Sequence, residues 1–67
     1  MAATWWRGKV LKKAREKRGL TQEALGRKVG VHQVTIARIE SGARNPSMDL
    51  LQRLAKALKV KVGRLLE

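Results

Sequence analysis

The sequence predicts an all-α domain, a compact bundle of four to five short helices. Apolar residues recur at the three- and four-residue spacings of helices, and no stretch alternates with period two for long enough to indicate a strand. Glycines and a single proline divide the 67 residues into short segments. A chain of this length forms one domain, residues 1–67, and loops this short favour antiparallel packing of neighbouring helices.

The first two predicted helices have clear apolar stripes and stop signals. The first covers about residues 5–18 and ends at Gly19. Its stripe consists of Trp6, Val10, Leu11 and Ala14. The second begins at Thr21, a good N-cap, and ends at Gly30, where we expect a left-handed backbone.

The remaining helices follow from the same signals. The third starts near His32 and ends at Gly42, with its apolar face formed by Ile36 and Ile39. Ser47 is the predicted N-cap of the fourth, in which apolar residues fall at i, i+3, i+4 and i+7. These are Leu51, Leu54, Ala55 and Leu58. A short fifth helix uses Val62, Leu65 and Leu66 and is weakened at Gly63 by about 1 kcal/mol relative to Ala.

Composition narrows the classes of function. The chain has no Cys and one His, so we expect neither a disulfide nor a zinc site, and no cofactor is predicted. No apolar run approaches the roughly 20 residues that span a bilayer, and the N-terminus lacks the long apolar core of a signal peptide. We therefore expect a cytoplasmic protein. The net charge of +11 favours an anionic partner such as nucleic acid over the plainer interpretation, a well-solvated surface.

The second and third predicted helices are separated only by the turn at residues 29–31, which is the helix-turn-helix arrangement, over residues 21–41. The stretch LTQEALGRKVGVHQVTIARIESGARNPSMDLLQRLAKALKV resembles the lambda-repressor/Cro-type family of bacterial and phage regulators, also called the xenobiotic-response-element family. The matching residues are Thr21-Gln22-Glu23-Ala24-Leu25, Gly30-Val31, Thr35-Ile36-Ala37-Arg38-Ile39-Glu40, Gly42, Pro46-Ser47, Leu51 and Leu54-Ala55-Lys56-Ala57-Leu58. The resemblance covers residues 8–60 and implies a sequence-specific regulator that binds double-stranded DNA, as a repressor.

The face of the third helix opposite its isoleucines has the chemistry of base recognition. The second helix of such a unit lies in the DNA major groove. Gln33 suits adenine, Val34 and Ala37 suit thymine methyl groups, and Arg38 suits guanine or a phosphate. We predict these four residues as base-reading. The alternative is an ordinary helix surface, although such a surface would more often carry Lys and Glu.

The resemblance also implies contacts to phosphate. In the family, a Gln at the start of the second helix binds a phosphate and braces the reading Gln, which here would be Gln33. The implied phosphate-contacting residues are Gln22, His32, Thr35, Ser41, Arg44 and Asn45. His32 departs from the Ser or Thr that the family usually has at this N-cap, and His is expected to cap poorly. It is either a tolerated surface His or a phosphate contact that strengthens on protonation.

Three further features follow from the resemblance. An Arg of the first helix and a Glu ending the third form a partly buried ion pair in the family, and Arg15 and Glu40 match these positions. Gly26 lies where the two motif helices approach most closely, at a position where the family usually has Ala. Dimerisation in the family occurs near the fifth helix, so a homodimer through Val60, Val62 and Leu66 is a possibility.

Competing classes of function remain. The protein could be an antitoxin or adaptor that uses this fold mainly to hold another protein, with Trp5 as an exposed anchor. The charge would permit a membrane-active cationic helix, but the apolar residues are accounted for by a mutual core, so we expect no membrane partner. We do not expect an enzyme, because the sequence has no nucleophile–base pair, carboxylate pair or metal cluster.

Overall fold

Five helices form the part of the chain that the structure describes. The computed structural model describes residues 6–66. The helices are α1 (Gly8–Lys17), α2 (Gln22–Val29), α3 (Gln33–Ser41), α4 (Met48–Leu58) and α5 (Val62–Leu65). No strand occurs among these residues, so the predicted all-α bundle is confirmed. None of the five helices is long and apolar enough to cross a membrane.

The predicted caps of α2 and α4 are confirmed. The Thr21 hydroxyl accepts a hydrogen bond from the Ala24 backbone N–H at 3.0 Å, and the Ser47 hydroxyl accepts one from Leu50 at 3.1 Å. Gly30 and Gly42 end α2 and α3 with φ angles of 80° and 84°. An L side chain is strained in this left-handed region, so glycine is what allows the chain to turn sharply after each helix.

The first helix is shorter than predicted. It begins at Gly8 and not near residue 5, because Arg7 is extended, with φ −115° and ψ 99°. Trp6, which was predicted inside the helix, instead precedes it. Its indole Nε1–H donates to the Ile39 carbonyl oxygen at 2.8 Å. This contact with α3 holds the chain outside the helical path. Trp5 lies outside the described residues.

The core lies at the centre of the bundle and draws on every helix. Its buried apolar residues are Trp6, Leu11, Leu25, Val29, Ile36, Ile39, Leu50, Leu51, Leu54, Ala55, Leu58 and Leu65. α2 packs against α3 and α4, α1 packs against α3, and α5 packs against α4 and α1. Two predicted stripe residues of α1, Val10 and Ala14, are only partly buried, and Leu66 of the predicted fifth helix is exposed. The helix-turn-helix pair is thereby supported by α1, which packs against α3, and by α4, which packs against α2.

At Gly8 the backbone of α1 lies close against the end of α3. A Cβ atom built at Gly8 would overlap the backbone carbonyl oxygens of Ile39 and Glu40. Backbone atoms cannot rotate away as a flexible side chain can, so any larger residue would force the two helices apart. The sequence offers no local signal for this contact, since Gly8 looks like an ordinary residue of the first helix.

We expect Gly8→Ala to lower the free energy of unfolding by about 1–3 kcal/mol, through overpacking of the α1–α3 contact. Gly63→Ala is the matched control, because a Cβ there meets nothing within 4 Å. The control should be neutral or stabilise the protein by up to about 1 kcal/mol through helix propensity. Urea denaturation followed by circular dichroism measures both variants. Equal effects of the two substitutions would show that the close approach at Gly8 does not constrain the fold.

Candidate nucleic-acid interface

The two faces of α3 divide as the sequence predicts. Ile36 and Ile39 are fully buried, whereas Gln33 and Arg38 are exposed. Val34 is 48% exposed, which is unusual for an apolar side chain in a domain whose other apolar residues mostly pack inward. Thr35 and Ala37 are half-buried and border the exposed face. The result is a face with an amide, an apolar group and a guanidinium next to one another on one helix.

His32 caps α3 through its ring, at the N-cap position where the family usually has Ser or Thr. The ring nitrogen Nδ1 accepts a hydrogen bond from the Val34 backbone N–H at 3.1 Å. Nδ1 is bonded to Cγ, as the side-chain oxygen of Asn or Asp is, so it reaches the same N–H group. An accepting Nδ1 carries no proton, so the proton of the neutral ring lies on Nε2. The exposed ring therefore offers an N–H donor at the start of the helix.

The loop after α3 folds back onto the end of that helix. The backbone N–H groups of Ala43 and Arg44 donate to the Arg38 carbonyl oxygen at 3.0 and 3.3 Å. The Ser41 hydroxyl donates to the same oxygen at 3.0 Å, so it must release that bond to donate to a phosphate. Arg44 and Asn45 have exposed side chains. The start of the loop is thus fixed by backbone bonds, while its polar side chains remain accessible.

Arg15 and Glu40 form the predicted ion pair, and it is nearly buried. Arg15 Nε lies 2.6 Å from Glu40 Oε2, and a second guanidinium nitrogen donates to Oε1 at 3.2 Å. The third nitrogen donates to the Leu20 carbonyl oxygen at 2.6 Å. The two residues are 8% and 7% exposed. The hydrogen bond to Glu40 raises the pKa of Arg15, although burial acts in the opposite direction.

The raised pKa of Arg15 determines how the charge of its guanidinium responds to pH. A cation whose pKa is higher in the folded state contributes stability at every pH below its ordinary, unfolded-state pKa. That stability is lost only as the pH rises through the folded-state pKa. Because an arginine already titrates in strongly alkaline solution, the guanidinium remains charged across the physiological range.

Gln22 joins the ion pair to α2. Its amide Nε2 donates to Glu40 Oε1 at 3.0 Å, and the side chain is half-buried. Sequence reasoning assigned Gln22 to phosphate binding and to bracing Gln33, and it did not foresee the bond to Glu40. An amide nitrogen carries two N–H groups, so this bond leaves one donor for a phosphate. Glu40 thus accepts hydrogen bonds from side chains of α1 and α2 while belonging to α3.

Comparison with known protein families assigns the chain. A family model described as Helix-turn-helix matches residues 11–65. The chain belongs to the Cro/C1-type helix-turn-helix family. It is 44% identical over 52 residues to an uncharacterised HTH-type transcriptional regulator of Methanocaldococcus jannaschii, covering 78% of this chain and 79% of that protein.

Solved structures of Cro/C1-type proteins superimpose over nearly the whole chain. The P22 c2 repressor in complex with a synthetic operator gives a TM-score of 0.86 at 32% identity, covering 98% of this chain and 97% of the other. SinR, a Bacillus subtilis protein solved in complex with DNA, gives 0.84 at 31% identity, with coverages of 90% and 97%. The predicted resemblance to lambda-repressor-like proteins is therefore confirmed.

In this Cro/C1-type domain, the contact between the motif helices is tighter than expected. A Cβ built at Gly26 would lie 2.6 Å from the Val31 carbonyl oxygen, which is backbone and cannot rotate away. The predicted close approach is confirmed. Alanine, the family's usual residue at this position, would require a backbone shift in this chain. Glycine thus lets α2 lie closer to the turn before α3 than a methyl group allows.

We expect Glu40→Gln to lower the free energy of unfolding by about 3–5 kcal/mol, because it leaves the buried Arg15 cation without its partner. Glu23→Gln is the matched control. Glu23 pairs with Arg27 at 3.4 Å, but both side chains are largely exposed. An exposed pair contributes at most about 1 kcal/mol, so the control should change little. Thermal and urea unfolding at pH 7 compare the variants, and equally small losses would mean that the buried pair adds no stability.

Proposed function

We propose that the protein is a sequence-specific transcriptional regulator that binds double-stranded DNA and represses transcription, with α3 in the major groove. The observation that carries the proposal is the exposed face of α3, where Val34 lies between polar reading groups with 48% of its surface accessible. The family and the repressor–operator neighbour support the same function. The proposal includes no catalytic role, and it places the protein in the cytoplasm.

The base contacts follow from the chemistry of the exposed face. Gln33 forms a bidentate pair with adenine N6 and N7. Val34 packs against thymine methyl groups, and half-buried Ala37 lets the helix backbone approach closely. Arg38 addresses guanine O6 and N7, or a phosphate near the end of the helix. Together these groups would distinguish several adjacent base pairs.

The phosphate contacts surround that face and orient the domain. The proposed contacts are Gln22, His32, Thr35, Ser41, Arg44 and Asn45. His32 donates through Nε2–H while Nδ1 caps the helix, and the N-terminus of α3 adds a favourable dipole. Phosphate contacts position the protein and base contacts specify the sequence, so the two groups should respond differently to substitution.

A homodimer on inverted half-sites would extend the recognised sequence, because one unit covers only a few base pairs. The proposed surface is the C-terminal region. Leu66 is 41% exposed, and Val62 is partly buried against the core. A protein partner held through Trp5 is a separate proposal, and it has no support among residues 6–66.

Selection from a random duplex DNA pool at about 150 mM salt tests sequence reading. Wild type should enrich a defined motif, as an inverted repeat if the protein dimerises. Gln33→Ala should lose the enrichment of one base pair per half-site, because the bidentate amide is removed. Gln52→Ala is the matched control, since Gln52 is an exposed glutamine on α4. Binding without enrichment, equal in all three proteins, would exclude sequence-specific recognition.

We expect Arg44→Ala to weaken binding to specific and unrelated duplexes alike. Loss of one phosphate contact should reduce the slope of log K against log salt by about 0.9. Fluorescence anisotropy titrations over a range of salt concentrations measure this slope. Arg27→Ala serves as the control, because Arg27 is an exposed arginine paired with Glu23 on α2. An unchanged slope in Arg44→Ala would remove Arg44 from the phosphate contacts.

A further inference from the structure

A groove of about 310 Å³ lies between α1 and the segment that runs from the end of α4 through α5. Its floor is apolar and consists of Val10, Ala14, Leu58, Val60 and Leu65. None of its lining residues comes from α2, α3 or the loop after α3. The groove is therefore separate from the proposed DNA-reading surface. It also explains why Val10 and Ala14, part of the predicted apolar stripe, are only partly buried.

The edges of the groove are strongly basic. Lys13, Lys17 and Arg18 come from α1, and Arg64 comes from α5. All four side chains are exposed, and none forms an ion pair with an acid of residues 6–66. An apolar floor between two basic edges is typical of a binding surface, and solubility alone would not require it.

The acids of the described residues are engaged elsewhere. Glu40 is bonded to Arg15, Glu23 to Arg27 and Asp49 to Arg53. Glu16, the remaining acid of residues 6–66, does not line the groove. A second copy of this chain, with a net charge of +11, would therefore bring more cations to the groove edges than anions. Charge complementarity points to a different molecule as the occupant.

We propose that the groove binds a short acidic amphipathic helix of a partner protein. Apolar side chains of that helix would contact the floor, and Asp or Glu residues on both flanks would pair with the basic edges. From Val10 to Arg18 the groove follows α1 for about 12 Å, the length of roughly two helical turns. A small amphiphile with one anionic group would satisfy only one of the four cations, whereas an acidic helix satisfies both edges.

This docking surface is compatible with the proposed DNA contacts. The DNA-reading residues lie on α2, α3 and the following loop, so a partner in the groove leaves them uncovered. Of the three residues proposed for a homodimer, Val62 and Leu66 do not line the groove, whereas Val60 does, so a homodimer that covers Val60 would compete with the partner helix. The inference does not depend on DNA binding, and each activity can be measured without the other.

A labelled helical peptide of about 15 residues tests the proposal with the full chain, matching the helix-in-groove mode. The probe carries Leu at i, i+3, i+4 and i+7 with Glu on both flanks, and its comparison peptide has the same composition with the Leu positions scrambled. Fluorescence anisotropy near 150 mM salt should detect the first peptide and at least about tenfold weaker binding of the second. Amide chemical shifts should move at Val10, Ala14, Val60 and Leu65.

Substitutions in the groove provide the decisive comparison. Lys17→Glu and Arg64→Glu should each weaken the peptide about tenfold, because they reverse a charge at each edge. Lys28→Glu makes the same charge change at an exposed residue of α2, outside the groove. It should change the affinity for the peptide by less than roughly twofold. Ala14→Phe should block the floor. Circular dichroism checks that it folds, and the two exposed charge variants test the groove independently of that result.

Three outcomes would overturn the proposal. Equal binding of the scrambled peptide would mean that charge alone attracts the probe. Equal weakening by Lys28→Glu would mean that the net charge matters and the groove does not. If duplex DNA displaced the peptide from the wild type but not from Lys17→Glu, the groove would be assigned to nucleic acid. A failure to detect sequence-specific DNA binding would not affect any of these three outcomes. The proposed DNA-binding function and the proposed groove can therefore be disproved separately.

Discussion

The position of the reading helix depends on the buried carboxylate of Glu40. It accepts hydrogen bonds from Arg15 of α1 and from Gln22 of α2, so one charged group of α3 joins three helices. A buried charge is tolerated only when its partners satisfy it, and no buried polar side-chain atom among residues 6–66 lacks one. Because the guanidinium and carboxylate must meet in one geometry, this network selects one orientation of α3 more sharply than apolar contacts would.

The same end of α3 is held by two uncharged contacts. The Trp6 indole donates to the Ile39 carbonyl oxygen, and Gly8 brings the α1 backbone against the neighbouring carbonyl groups. The opposite end of α3, where His32, Gln33 and Val34 lie, is exposed. A binding surface needs supporting residues that fix its geometry. Here the supporting residues contact the buried end of the reading helix, α3. Rigid support and free access are thus combined in a helix of nine residues.

Local signals were sufficient for most of the fold and for the composition of the candidate interface. Thr21, Ser47 and Gly42 mark helix ends through interactions within a few residues, so sequence alone predicts them. The start of α1 was wrong because Trp6 bonds to a residue 33 positions away, which no local pattern encodes. His32 was placed at the N-cap, but its hydrogen bond through Nδ1 was not foreseen, because residue preference describes the average imidazole and not this geometry. The groove could not be predicted from the sequence, because its walls, α1 and α5, lie at opposite ends of the chain.

The distribution of charge limits what an occupant of the groove could do to DNA binding. Acidic residues on a bound helix would lower the net charge of the complex. Charges in water are largely screened beyond about 8 Å at physiological salt. None of the groove's lining residues is a proposed DNA contact, although Arg18 at its edge lies four residues before Gln22, so the direct electrostatic effect should be small for phosphate contacts that lie beyond this screening distance. A partner in the groove would therefore act chiefly through contacts of its own beside the DNA, and not by weakening the binding of α3 to the DNA.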